Sequence, residues 1–132
     1  MKLPERIIVI DDDSINNMFC KYIIVEAISE KVEIIMFTNP QKALNYIDPE
    51  YHRNPVPTVI FLDINMPVLS GWDVLDEFLK SDIAINKYFK IFILSSSVDP
   101  MDKERAYSSQ FVKGFIEKPL DVETVKEICE IS

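Results

Sequence analysis

No stretch of this 132-residue chain approaches the roughly 20 apolar residues that a membrane-spanning helix needs. The opening residues, Met1 to Arg6, lack the apolar core of a secretory signal. Clustered Lys and Arg are missing as well: 14 basic against 22 acidic residues give a net charge of -8, which argues against gripping nucleic acid through its phosphates. Cysteine is scarce. Cys20 and Cys129 each lie in a helix-patterned stretch without CxxC or metal-ligand spacing. They read as small buried apolar groups in a reducing compartment, not as a disulfide. The single histidine, His52, stands in a connector rich in Pro and Tyr and reads as a solvated loop residue. These absences point to a cytoplasmic protein with no membrane and no nucleic-acid partner.

What is present suits a packed core. Hydrophobic residues make up 48% and charged residues 27%, a balance of folded and not of disordered chains. The length fits one compact domain over residues 1–132, with no internal repeat, low-complexity tract or interdomain linker.

Arg6 to Ile10 is a β-branched run, the mark of a strand buried on both faces, and it stops at Asp11-Asp12-Asp13. Asp13 or Ser14 caps a helix carrying Ile15, Met18, Phe19, Tyr22, Ile23 and Ala27 at helical spacing. Val32 to Phe37 is a second strand. Asn39-Pro40 opens a short helix to about Ile47, and Asp48 to Pro57, with three prolines, reads as a loop. Thr58 to Leu62 is a third buried strand ending at Asp63. A helix follows from Gly71 to about Ser81, with Val74, Leu75, Phe78 and Leu79 on its apolar stripe. After an extended connector from Ile83 to Phe89, Lys90 to Leu94 is a fourth strand, ending in Ser95-Ser96-Ser97. Asp99-Pro100 starts a more polar helix. Phe111 to Ile116 is a fifth strand closed by Glu117-Lys118-Pro119, and Asp121 caps a last helix with Val122, Val125, Ile128 and Cys129 inward.

Alternating strands and helices with short connections imply an α/β fold, a parallel sheet with helices on both faces. In such a sheet, ligands bind beyond the carboxyl ends of the strands. Those ends carry Asp11, Asp12, Asp63, Ser95 and Lys118. Carboxylates gathered there need a cation, and Mg²⁺, which prefers oxygen ligands, is the natural one.

Four segments carry a family resemblance: Ile7 to Asp13, Phe61 to Pro67 followed by Gly71, Ile93-Leu94-Ser95, and Glu117-Lys118-Pro119. Together, in this order and each at a strand end, they resemble the CheY-like response regulator receiver domain, over about Arg6 to Ile131. The resemblance implies a doubly wound, flavodoxin-like sheet of five strands in the order 2-1-3-4-5 with five helices. It implies that Asp63 accepts a phosphoryl group from a phosphohistidine on a sensor histidine kinase or a histidine phosphotransfer protein. Asp12 would bind Mg²⁺ directly, Asp11 through water, and the backbone carbonyl of Asn65 would complete the metal site. Lys118 matches the lysine that pairs with the phosphoryl group, Pro119 its cis-proline, and Gly71 a structural glycine. Ser95 matches the switch hydroxyl and Phe115 the switch aromatic. Output would pass to a protein through the face of the fourth helix, fifth strand and fifth helix.

The chemistry fits independently, since phosphoryl transfer needs little beyond in-line positioning and charge neutralisation. The protein is therefore expected to be a signalling phosphoacceptor and not an enzyme acting on other molecules. Ser at position 95 lacks the Thr methyl that restricts rotation, and Phe115 lacks a phenol, so any switch there rests on packing. The chain ends at Ser132, just past the last helix, and no output domain is expected. Two other readings compete. Asp11-Asp12-Asp13 also fits the opening of haloacid-dehalogenase-like phosphohydrolases, with Asp11 as nucleophile, although Ile15 stands where those enzymes carry Thr or Val. A pseudo-receiver that binds partners without phosphorylation would leave the Asp12, Asp63 and Lys118 set without a task.

Overall fold

The computed structural model describes residues 4–28, 31–53, 56–80, 88–96 and 99–129, without the side chains of 49–52 and 79. Five parallel strands, β1 (Arg6–Ile10), β2 (Glu33–Phe37), β3 (Thr58–Asp63), β4 (Phe89–Ser95) and β5 (Val112–Glu117), form one sheet in the order β2-β1-β3-β4-β5. Between and after them run α1 (Ser14–Ala27), α2 (Pro40–Arg53), α3 (Gly71–Leu79), α4 (Pro100–Tyr107) and α5 (Val122–Ile128). Among the described residues no helix is long and apolar enough to cross a membrane. This is the five-stranded doubly wound sheet expected from the sequence.

Strand alternation sorts the apolar side chains into two cores. Ile7, Val9, Val59, Phe61, Phe92 and Leu94 face α1 and α5, meeting Cys20, Ile24, Val125 and Cys129. Ile8, Ile10, Ile60, Leu62, Ile91 and Ile93 face the other way, toward Ala43 and Ile47 of α2, Val74 and Phe78 of α3, and Ala106 of α4. Each fully buried aliphatic or aromatic side chain contributes roughly 1.5–3 kcal/mol. Both cysteines are free and buried, and burial lifts the Cys20 thiol to about 11, so it behaves as a small apolar group.

Four helix starts follow local polar chemistry. The carboxylates of Asp13, Asp99 and Asp121 accept from the first-turn amides of α1, α4 and α5. Asn39 does the same for α2, through the amide of Lys42.

Two expectations need correction. The residues from Asp48 to Arg53 are helical, not a loop: α2 continues through Pro49. A proline inside a helix removes one ladder bond, and here the helix tolerates that loss. On α1, the apolar residues at helical spacing mostly point outward: Ile15 is 78%, Met18 70% and Tyr22 62% exposed. The inward face is instead Asn17, Cys20, Ile24 and Ala27. Asn17 sets that rotation, because its side-chain amide donates to the carbonyls of Asp11 at 3.0 Å and Phe37 at 3.4 Å. The Ile83–Phe89 connector and the side chain of His52 fall largely or wholly outside the described residues.

The start of α3 lies tight against the end of β3. A Cβ on Gly71 would come within 2.5 Å of the Asp63 carbonyl oxygen and 2.7 Å of the Ile64 Cα. Both obstacles are backbone, so neither can swing aside. The amide of Gly71 donates to the Ile64 carbonyl at 3.3 Å, and Ser70 and Asp73 form a reciprocal capping box around the turn. Gly71→Ala is accordingly expected to cost roughly 1–3 kcal/mol in urea denaturation, the scale of forced overpacking. An unchanged midpoint would contradict the close approach.

Candidate functional site: an acidic cluster at the strand ends

β1 and β3 are neighbours in the sheet, with Ile10 level with Leu62, so the residues that follow them converge. Asp11, Asp12 and Asp63 each offer a carboxylate oxygen, and the three atoms lie within 4.8 Å of one another. Asp11 is fully buried, Asp63 is 3% exposed, and Asp12 stands at the open rim. Lys118, arriving from the end of β5, places Nζ 2.7 Å from Asp11 Oδ2 and 3.6 Å from Asp63 Oδ1. The peptide bond between Lys118 and Pro119 is cis.

The remaining bonds orient the carboxylates. Asp11 Oδ1 accepts from the Asp13 amide at 2.9 Å, and Asp11 Oδ2 accepts from Asn16 Nδ2 at 2.6 Å. Asp63 Oδ1 accepts from the Asn65 amide at 3.1 Å, while the Asn65 side chain stays exposed. Burial pushes the Asp63 carboxyl up to about 6; the Asn65 amide opposes this, and the nearby Asp11 charge adds to it. For Lys118, burial alone would lower the pKa, but the Asp11 hydrogen bond and the two carboxylates outweigh it and hold the ammonium above its usual value. Lys118 is therefore charged across the physiological range.

This donor set fits a hard divalent cation. Three carboxylates against one ammonium leave an excess of negative charge, and the Asp11 charge adds to the burial that raises the Asp63 pKa. Asp12 also lines a cleft of about 510 Å³ with Thr38, Asn39, Met66, Pro67 and Val68, so its carboxylate opens on solvent-accessible space.

Ser95 is fully buried at the end of β4, next to Leu94, which is level with Asp63. Its carbonyl accepts from the Lys118 amide at 2.7 Å. Ser96 is exposed, and Ser97 lies outside the described residues. Phe115 is half-buried against the core on the α2–α3–α4 side, and its amide donates to the Tyr107 hydroxyl at 3.3 Å. Thus Asp11, Asp12, Asp63 and Lys118 come together at one site, Ser95 and Asn65 sit on its flanks, and Phe115 lies further along β5.

Sequence reasoning missed Asn16 and Asn17, which hold Asp11 by its carboxylate and its carbonyl respectively. A signal existed: side chains in a first helical turn lean back toward the N-terminus, here toward Asp11.

The structure is thus a doubly wound α/β sheet that carries an acidic cluster and a lysine ammonium at its carboxyl edge. The profile of the Response regulator receiver domain family matches residues 7–130, and the chain belongs to that family, a component of two-component signalling. A two component response regulator from Cytophaga hutchinsonii is 30% identical, with a TM-score of 0.87 over 97% of this chain and 95% of its own. The chemotaxis protein CheY4 of Vibrio cholerae, 20% identical over 96% of this chain and 97% of its own, shares the fold at a TM-score of 0.72. A probable methanogenesis regulatory protein, FilR2 of Methanothrix harundinacea (strain 6Ac), is 29% identical over 75 residues, or 57% of this chain. That match spans 46% of the relative's length, under half.

The raised Asp63 pKa has a consequence for stability without metal. A carboxyl whose folded pKa exceeds its unfolded value of 3.8 binds more protons when folded, so its contribution falls as pH rises between about 4 and about 6. In metal-free buffer, Asp63→Asn should gain stability relative to wild type over that window, by roughly 3 kcal/mol at pH 7. Parallel stability curves for the two proteins from pH 4 to 7 would refute it.

Proposed function

We propose that the whole chain, residues 1–132 with its core over about 6–131, is one receiver domain that stores a phosphoryl group on Asp63. The observation that carries this reading is the position of Asp63. It is almost buried among two further carboxylates yet within 3.6 Å of a lysine ammonium. A fully satisfied structural aspartate would not need such surroundings.

The donor is a phosphohistidine on a sensor kinase or a phosphotransfer protein. An Asp63 oxygen forms a bond to phosphorus as the P–N bond breaks, and that electron pair returns to the imidazole. Lys118 offers positive charge to one side of the transferring group, and the Ser95 hydroxyl offers a donor to another oxygen. Asp12, Asp63 and the Asn65 carbonyl would hold Mg²⁺, with Asp11 acting through water. Bound there, the ion neutralises charge on the phosphoryl oxygens. The apolar outer face of α1 begins at Ile15, beside the acidic mouth, and gives a donor protein a dry contact next to the reacting atoms.

The family match supports this reading over a hydrolase using Asp11, as does Asp11 itself. It is fully buried and its oxygens accept three hydrogen bonds, from Asp13, Asn16 and Lys118, so it is the poorer nucleophile. The protein then signals in the cytoplasm as a phosphoacceptor and does not turn over other substrates. Output passes to a protein target through the α4–β5–α5 face, where inward movement of Ser95 leaves room for Phe115 to repack.

Incubation with Mg²⁺ and acetyl phosphate, followed by mass mapping, tests the acceptor. Label is expected on Asp63 and none after Asp63→Asn in a variant that still folds. Label on Asp11 would favour the hydrolase, and no label a pseudo-receiver. The switch has its own test: a phosphoryl mimic such as beryllofluoride should shift amide NMR signals at Ser95, Tyr107 and Phe115. Unshifted signals at Phe115 and Tyr107, with the mimic bound, would show that the output face does not respond.

A further inference from the structure

Two donors share one oxygen of Asp11: Asn16 Nδ2 at 2.6 Å and Lys118 Nζ at 2.7 Å. We propose that Asn16 is a positioning residue that frees Lys118 for the phosphoryl group, by keeping Asp11 Oδ2 hydrogen-bonded as the ammonium leaves it. This rests on the reading of Asp63 as the acceptor.

The need follows from burial. Asp11 is fully buried and its carboxylate is ion-paired with Lys118. A buried carboxylate that loses its cation is costly unless other donors remain. Yet the proposed chemistry draws Lys118 toward Asp63, whose nearer oxygen lies 3.6 Å from Nζ. With acetyl phosphate as the test donor, an Asp63 oxygen bonds to phosphorus as the P–O bond to acetate breaks, and the electron pair leaves on acetate. Asp63 then carries a group of about two negative charges, which attracts the ammonium more strongly than Asp11 does.

Asn16 suits the vacated role in three ways. Its amide is neutral, so it holds Asp11 without competing for the incoming phosphoryl oxygens as a second cation would. It is fixed in the first turn of α1, where its backbone amide donates to the capping Asp13 carboxylate at 3.3 Å. Its Nδ2 also contacts Cys20 Sγ at 3.6 Å, inside the core, which limits the swing of the side chain away from Asp11.

A double-mutant cycle tests the role, using Asn16→Ala, Lys118→Ala and the pair. Adduct formation with acetyl phosphate is followed at saturating Mg²⁺, and metal affinity is read separately by calorimetry with Mg²⁺ alone. Asn16→Ala should slow adduct formation about tenfold where Lys118 is present, the scale of one unsatisfied buried acceptor. In the Lys118→Ala background the same change should matter less than about twofold. Asn16→Leu, which matches the size without the donor, should behave as Asn16→Ala does, and the Mg²⁺ Kd of both should stay within about threefold of wild type. Equal slowing in both backgrounds, an unchanged rate in Asn16→Ala, or a loss traced wholly to weaker Mg²⁺ binding would overturn the proposal. Wild-type protein that takes no label would instead sink the acceptor reading itself, so the two failures are distinct.

Discussion

The ion pair between Asp11 and Lys118 joins the first strand to the last, 107 residues away in the chain, and much of the site depends on it. Asp11 has no exposed surface and the Lys118 side chain is 17% exposed, so water screens the pair only weakly. Removing either partner would strand the other, the situation in which buried pairs matter most. The pair also fixes where the ammonium sits relative to Asp63, since β5 is two strands removed from β3 and only the length of the lysine side chain spans the gap. The tight Lys118 amide bond to the Ser95 carbonyl sets the base from which it reaches.

One ammonium cannot balance three carboxylates, and the imbalance is felt at Asp63. Its pKa rises mainly through burial and then through the charge of Asp11. In chemical terms the site asks for a proton, a metal ion or both. A fold selected only for stability would have no reason to assemble these groups, because apolar residues of similar volume would pack there at lower cost. The unbalanced charge is local, since the two clusters on either side of the sheet are built of buried apolar side chains.

Much of this was legible in the sequence because the sheet is parallel. β1 and β3 are buried on both faces, so Arg6 to Ile10 and Thr58 to Leu62 read as unbroken apolar runs, and the first polar residue after each run falls at the same edge. The caps at Asp13, Asp99 and Asp121 were equally legible, being single side chains acting on the next turn. What escaped was what depends on rotation and on distant backbone. Ile15, Met18 and Tyr22 have the spacing of a core face, but the Asn17 side-chain amide, bonded to the Asp11 and Phe37 carbonyls, turns that face to solvent. Pro49 has the look of a helix end, and only the continued α2 shows otherwise. The partnership of Asn16 with Asp11 depends on which way one side chain in the first turn is aimed, and the cap at Asp13 narrows that choice without making it.

The geometry also bears on how an event at Asp63 can be felt elsewhere. Gly71 packs on the Asp63 carbonyl, and its neighbour Trp72 lies under the Arg105 guanidinium of α4 at 4.4 Å. Two residues further on, the Tyr107 hydroxyl accepts the outer-edge amide of Phe115 in β5. The contacts therefore run from the Asp63 backbone through α3 and α4 to the strand that carries Phe115. Contiguity alone is no switch; signalling needs an element with two arrangements that the phosphoryl group biases. Phe115, without a phenol, gains nothing polar by turning outward. Tyr107 holds a hydrogen bond that any shift of β5 must stretch or break. On the proposed reading, the polar part of the output change lies in α4, at Tyr107, and Phe115 follows by packing.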